Sequence, residues 1–327
     1  MRRVWIVALF SLLWGCGGKK DLEINVPRSI NEPDKVLYNS AIKDLGRSRY
    51  NVARLTLQTL INTYPDSEFL PEAKYALAES FYRDTSSSNM TQAEAEFKDY
   101  ITFFPASERA DDAQLMVAMT HVKQMEKADR DATQAMEAEQ ELNRMIQNYP
   151  DSPLLDEAKT KLRAVQEILA EGEHKVGNTY FIRKSFRAAM GRYRGILEKY
   201  PDYSWSDEVL FAMGESLRLS DNPEAAIYFA RLVMEYPYSE RLSQAKAHLS
   251  ELKIPIPPTN PSALARGEPA KAKKGVLGSV LGGLGKRPGV SSETGASSTI
   301  QKDPPKPEEK DKKGKGGSLS VDAKPKP

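Results

Sequence analysis

The sequence has a single cysteine, Cys16, and only three histidines in 327 residues. One cysteine cannot form an intramolecular disulfide or a thiolate metal cage, and this one lies too near the N-terminus to join a core. The histidines lie far apart along the chain, and no pair has the spacing of metal ligands. The sequence therefore predicts no metal site and no cofactor.

Catalytic motifs are also missing. There is no Gly-x-Ser-x-Gly nucleophile elbow, and the glycine cluster at residues 275–285 does not form a phosphate-binding loop. Val280 stands where that loop needs a glycine, and Arg287 stands where it needs Ser or Thr. We therefore predict that the chain is not an enzyme. An envelope enzyme with a repeat domain would need a catalytic module, and no segment is left for one.

The N-terminus has the features of a secretion signal. A short basic start precedes an apolar run at residues 4–14, which is too short for a permanent membrane helix. Leu13, Gly15 and Cys16 resemble the bacterial lipoprotein box, although Trp14 departs from it. The resemblance implies a signal peptide at 1–15, lipidation of Cys16 and a flexible tether at 16–31. The alternative is an ordinary signal peptide with an incidental cysteine.

Charge divides the rest of the chain. The net charge of +2 gives no case for nucleic-acid binding. From residue 255 onward, however, basic residues outnumber acidic ones about two to one and aromatic residues are absent. That stretch is rich in Pro, Gly, Lys and Ser without a periodic apolar face, which is typical of disorder. We predict a folded domain at 32–254 and a disordered basic tail at 255–327.

A repeated pattern occupies the predicted domain. Five times an aromatic residue precedes a proline, as in Tyr64-Pro65, with an alanine twelve residues before the proline and large residues eight and five before it. Offsets of four and three place these side chains on one face of a helix, which the proline then ends. The sets are Ala53/Leu57/Leu60, Ala93/Phe97/Tyr100, Ala138/Leu142/Met145, Ala189/Tyr193/Ile196 and Ala225/Phe229/Leu232.

Two further expectations concern the helices around this pattern. The Asp or Ser that follows each proline is expected to cap the next helix. Between Ser152 and Lys184 only Gly172 and Gly177 interrupt the helix-forming residues, so we expect one unusually long helix there.

The pattern resembles the tetratricopeptide repeat, and Gly177, Tyr180, Ala189, Tyr193 and Pro201 match that family's consensus positions most closely. The resemblance implies an all-α fold, a tetratricopeptide-like superhelix of about five helix pairs with a disordered tether and tail. Such pairs do not bury their apolar faces alone and are stabilised by stacking.

In tetratricopeptide proteins the first helix of each pair lines the concave face. Carried over to this chain, the resemblance implies a peptide-binding groove formed by Lys35, Tyr38, Ile42, Tyr75 and Tyr82. Tyrosines suit such a groove because they bury apolar area and keep a hydroxyl for hydrogen bonds. The alternative is that these tyrosines pack between helices as core.

A lipoprotein box followed by five such repeats is similar to the BamD family, the lipoprotein subunits of the outer-membrane β-barrel assembly machinery. The resemblance implies a lipid-anchored scaffold on the periplasmic face of the outer membrane. Its N-terminal repeats would bind unfolded barrel proteins, and its C-terminal repeats would dock on a BamA-like barrel subunit beside other assembly lipoproteins. The candidate docking residues are Arg183, Arg187, Arg192 and Arg194, which alternatively form a solvated helix face.

A second function remains open for the same fold. A tetratricopeptide lipoprotein can also act as a pilotin or cell-envelope coordinator that binds a secretin or a peptidoglycan-linked partner. The repeats alone do not separate this function from barrel assembly.

Overall fold

The computed structural model describes residues 32–126 and 130–267. The predicted signal peptide at 1–15, Cys16, the tether at 16–31, the tail from residue 268 onward and the glycine cluster at 275–285 lie outside the described residues.

All regular structure in the described ranges is helical. None of these helices has the length and apolar character needed to cross a membrane. The twelve helices of the described ranges are α1 (Pro33–Gly46), α2 (Tyr50–Thr63), α3 (Leu70–Arg83), α4 (Ser87–Phe103), α5 (Ala110–Gln124), α6 (Thr133–Asn148), α7 (Leu155–Ile182), α8 (Phe186–Lys199), α9 (Ser206–Arg218), α10 (Ala225–Glu235), α11 (Leu242–Glu251) and α12 (Pro261–Ala265).

The first ten helices form five consecutive pairs, which we call units 1 to 5, and each helix from α1 to α11 packs mainly on its neighbours in sequence. The predicted all-α, tetratricopeptide-like array of five pairs is thereby confirmed. Every alanine and large residue of the five-fold pattern is buried, at 0 or 1% exposure. The residue before each proline lies outside the α region, as at Tyr64 with φ −128° and ψ 66°. The pattern therefore marks the buried face of each second helix and its end.

The serine after the proline does not cap the next helix, contrary to the prediction. The hydroxyl of Ser67 accepts a hydrogen bond from the N–H of Phe69 at 3.1 Å, the residue just before α3 begins. It also donates to Asp34 Oδ2, in the first turn of its own unit, at 2.5 Å. The pairs Ser152–Asp111 and Ser239–Asp207 repeat this contact at 2.5 and 2.7 Å. The serine therefore closes a unit by joining its exit loop to the start of its first helix.

Helix α7 is the unusually long helix that the sequence predicted between Ser152 and Lys184: it has 28 residues, whereas the next longest described helix, α4, has 17. It also joins two hydrophobic cores. Leu169 belongs to the core formed with α3 to α6, and the adjacent Ala170 belongs to the core formed with α8 to α11. Units 1 to 3 and units 4 to 5 are thus connected mainly through this helix.

The chain after α11 is ordered farther than predicted. Lys253 adopts a left-handed φ of 56°, and the N–H of Ile254 bonds to the carbonyl of Leu249 at 2.9 Å. This helix-ending turn also follows α1, α7 and α9, so α11 resembles the first helix of a sixth unit. Within the described residues no second helix of full length follows α11, because prolines interrupt residues 255–258.

Instead, residues 255–267 run back over the end of α10. The N–H of Asn260 donates to the carbonyl of Met234 at 3.0 Å, and Ala263 of α12 is 2% exposed. The side chain of Asn260 also caps α12 by accepting from the N–H of Ser262. The predicted boundary at residue 254 is therefore too early. Composition does not reveal that residues after 254 form hydrogen bonds with α10 and within α12. We call residues 255–267 the C-terminal strap.

Glycines mark two close approaches between paired helices. A Cβ atom at Gly177 would lie 2.6 Å from the ring of Tyr193, and one at Gly214 would lie 2.7 Å from the ring of Phe229. Both rings are fully buried and have no room to move aside. In contrast, a Cβ at Gly191 of α8 meets nothing within 4 Å.

This difference gives a matched pair of variants. Gly214→Ala should lower the free energy of unfolding by about 1–3 kcal/mol, because the added methyl overpacks the Phe229 site. Gly191→Ala should raise it by up to about 1 kcal/mol through helix propensity. Urea unfolding followed by circular dichroism measures both, and equal effects of the two variants would contradict the packing described here.

Candidate functional site

The tyrosines of the predicted groove lie in the core. Tyr38, Tyr75 and Tyr82 are 8, 3 and 6% exposed. The Tyr75 hydroxyl donates to Asp112 Oδ2 at 2.6 Å, and burial, together with the charge of that carboxylate, holds the pKa of Tyr75 well above its usual value. The guanidinium of Arg109 lies 3.5 Å from the centre of the same ring. These side chains therefore join helices and are not presented to a ligand.

The other two groove candidates do not complete a site. Lys35 is half-buried and forms an ion pair with Glu32 at 2.6 Å, and Ile42 is half-buried against the core of units 1 and 2. The three tyrosines of the predicted groove are core residues of α1 and α3, so they do not line an open groove. Every residue of α5 from 113 to 122 is buried. The alternative that the tyrosines are core residues describes this structure.

An open cleft lies elsewhere, between α6 and α8. It has a volume of about 590 Å³, and its floor is the middle of α7. Its apolar lining includes Met136, Ile168 and Val176, and Met136 and Val176 are 54 and 38% exposed. Glycines and alanines from all three helices form much of the rest: Ala132, Ala135, Gly172, Ala188, Gly191 and Gly195.

The length of α7 explains the cleft. Gln166, in its first half, donates to Glu139 of α6 at 2.9 Å, whereas Glu173 and Asn178, farther along, accept from Arg192 and Tyr193 of α8 at 2.9 and 2.7 Å. The two second helices therefore pack at different heights on one long first helix. The gap between them is the cleft, and it lies where the two hydrophobic cores meet.

Some of the charged side chains around the cleft form ion pairs with each other, and others do not. Arg192 pairs with Glu173 at 2.9 Å, and Arg130 pairs with Glu126 at 3.2 Å. Among the described residues, Arg187 has no carboxylate within ion-pair distance. The same holds for Lys199 at the other end of α8. The cleft therefore carries a surplus of positive charge.

One tyrosine at the cleft remains neutral. Burial, with smaller contributions from Glu139 and Glu173, raises the pKa of Tyr200 to about 12. Its hydroxyl therefore stays protonated near neutral pH and adds no negative charge to the lining.

The four predicted docking arginines are all exposed, and two of them line the cleft. Arg187 and Arg192 line the cleft, whereas Arg183 and Arg194 do not. The sequence reasoning missed the apolar floor, formed by Ile168 and residues near it. Two sequence signals point toward it, namely the unusual length of α7 and two glycines of α8, Gly191 and Gly195, at which an added Cβ would meet nothing within 4 Å.

Most of the helix-pair array matches a known family. Residues 30–232 match the model of the YfiO family, described as an outer membrane lipoprotein. The chain is 25% identical over 226 residues to the outer membrane protein assembly factor BamD of Caulobacter vibrioides, covering 68% of this chain and 72% of that protein.

Two further relatives carry the same name. BamD of Vibrio cholerae is 25% identical over 202 residues, covering 59% of this chain and 80% of that protein. BamD of Rickettsia prowazekii is 24% identical over 235 residues, covering 72% and 90% respectively. The matched regions in these relatives are long enough to span most of the helix-pair array.

The burial of Tyr75 predicts a structural role that unfolding experiments detect. Tyr75→Ala should lower the free energy of unfolding by about 3–5 kcal/mol, because it leaves a cavity and removes the hydroxyl that donates to Asp112. Lys35→Ala, at another predicted groove residue, should have a much smaller effect, because its ion pair with Glu32 is exposed to solvent. Chemical denaturation of both variants decides the matter. If Tyr75→Ala lowered the free energy of unfolding no more than Lys35→Ala does, the Tyr75 ring would lie on the surface and not in the core.

Proposed function

Because the chain belongs to the YfiO family of outer membrane lipoproteins, whose model matches more than half of it, we propose that it is a non-enzymatic scaffold for assembling outer membrane proteins. The observation that carries this proposal is the family match across an array of stacked helix pairs. Arrays of this kind present extended surfaces that bind other chains. The relatives that share the array are named outer membrane protein assembly factors.

The proposed partners follow from the same relationship. The scaffold binds unfolded barrel proteins and docks on a BamA-like barrel subunit, beside other assembly lipoproteins. Arg183, Arg187, Arg192 and Arg194 are exposed on or beside α8, which supports a role in meeting an acidic partner surface. Since the tyrosines of units 1 and 2 are buried, contacts with unfolded clients require other residues of those units.

The proposed attachment is through lipid on Cys16, which holds the scaffold to the periplasmic face of the outer membrane. Each buried methylene contributes roughly 0.8 kcal/mol, so several acyl chains on one cysteine anchor a protein firmly without a spanning helix. The lipoprotein-box residues Leu13 and Gly15 support this attachment.

Cell fractionation tests the anchor. Wild-type protein should remain with membranes after alkaline carbonate extraction, which strips proteins held only by partners. Cys16→Ala should appear in the supernatant, because it has no acyl chains. A variant that stays with the extracted membranes would show that something other than Cys16 holds the protein there.

Affinity purification from detergent-solubilised envelopes tests the partners. Wild-type protein should co-purify with an outer-membrane barrel protein that carries repeated periplasmic domains. Reversing all four arginines to glutamate should reduce that recovery about tenfold or more, since like charges then face an acidic partner. The control reverses two exposed basic residues of unit 1, Lys43→Glu and Arg47→Glu, and should leave recovery unchanged.

Other outcomes of the purification contradict the proposal. A secretin or a peptidoglycan-linked protein in place of the barrel protein would support the pilotin or coordinator function. Equal losses with the unit 1 control would show that the four arginines have no specific role.

A further inference from the structure

The geometry points to the cleft between α6 and α8 as the docking site of an amphipathic α-helix with acidic residues near both ends, supplied by a partner protein. This inference deepens the proposed function, on which it rests for the setting in which the partner is met. The site lies apart from the enclosed tyrosines of units 1 and 2. It therefore serves a partner other than an extended client strand.

The walls of the cleft favour a helical occupant over an extended one. They are α6, α7 and α8, whose main-chain N–H and C=O groups are bonded within each helix except in the first turns of α6 and α8. An extended strand laid along the cleft would therefore find few main-chain partners for its own polar groups. A helix satisfies those groups internally and needs only side-chain contacts from the groove that holds it.

The apolar lining fits the close approach of a helix. Met136 and Val176 remain substantially exposed in the cleft, so this chain alone does not bury them. Gly191 and Gly195 are four residues apart and therefore share one face of α8. A Cβ at either position meets nothing within 4 Å. The cleft therefore has free space beside α8 at these two positions.

The charged side chains of the cleft indicate that its occupant carries acidic residues. The cleft's acidic residues are engaged within the chain: Glu126 and Glu173 by ion pairs, and Asp131 by the N–H and hydroxyl of Thr133. Arg187 and Lys199 are the lining cations without a carboxylate partner among the described residues, and they lie twelve positions apart on α8, about 18 Å along the helix. That distance matches a helix of about three turns, whose acidic residues would then lie near a cation at each end.

The chain's own tail fits this site poorly. In residues 268–327 basic side chains outnumber acidic ones, so this segment carries charge of the wrong sign for the cleft. A partner helix therefore suits the cleft better than an internal segment.

Fluorescence anisotropy tests the inference with the full mature chain carrying Cys16→Ala, which keeps it free of lipid. The probe is a labelled amphipathic peptide of about 14 residues, built from leucine, alanine and glutamine with two glutamates at each end. Two comparison peptides carry lysines in place of the glutamates or a central proline. We expect saturable binding of the glutamate peptide and binding about tenfold weaker or worse for the other two.

Two variants locate the binding. Gly195→Leu fills the cleft from an unhindered helix position, so it should keep or raise the unfolding midpoint while weakening the glutamate peptide about tenfold. Gly46→Leu, a glycine of α1 with similar free space, should leave affinity within about twofold. Arg187→Glu combined with Lys199→Glu should reverse the preference toward the lysine peptide. Lys43→Glu, remote in sequence on α1, should not.

Several results would overturn the inference. These are the absence of saturable binding, equal affinity for the proline peptide, and binding that Gly195→Leu leaves unchanged. Self-association of the chain that Gly195→Leu abolishes would assign the cleft to a second copy instead. The proposed function is tested separately. A chain that binds the peptide through the cleft yet co-purifies with no barrel protein would refute the assembly role and retain the cleft.

Discussion

The structure depends on the burial of one alanine and two large side chains on the second helix of every unit. A single pair of helices cannot enclose these residues, so each unit needs its neighbour. Burying a large apolar side chain contributes roughly 1.5–3 kcal/mol, and the same arrangement occurs five times with almost no exposure. The proline that ends each second helix fixes where the next unit starts. Stability and spacing of the array thus arise from the same short stretch of sequence.

Variation in helix length then decides which surface remains open. Where first helices are short, as in units 2 and 3, neighbouring helices close over them, and α5 is almost entirely buried. Helix α7 is longer than α6 and α8, which pack on different parts of it. The cleft with its surplus of positive charge follows directly from those extra residues. A feature that departs from the regular repeat is therefore the one that offers a binding surface.

Sequence reasoning succeeded where local spacing determines structure. The alanine pattern located all five second helices, and uninterrupted helix-forming residues predicted α7. It failed where the outcome depends on how units enclose one another. A tyrosine such as Tyr75 has the same spacing whether it faces a groove or a neighbouring helix. The contact between Ser67 and Asp34 joins residues in different segments, although the recurring first-turn aspartates offered a signal. Residues 255–267 were assigned to the tail because composition does not show that the amide of Asn260 meets a free carbonyl of α10.

The terminal helix α11 also bears on how such a chain can evolve. It begins a unit and ends in the same left-handed turn as other first helices, but prolines deny it a second helix and the C-terminal strap follows instead. The number of units is thus limited by a few residues after the turn. Exchanging those prolines for helix-forming residues would extend an existing half-unit in place of the contact between Asn260 and α10. The C-terminal end of the array is accordingly the place where a lineage can gain new recognition surface with the fewest changes.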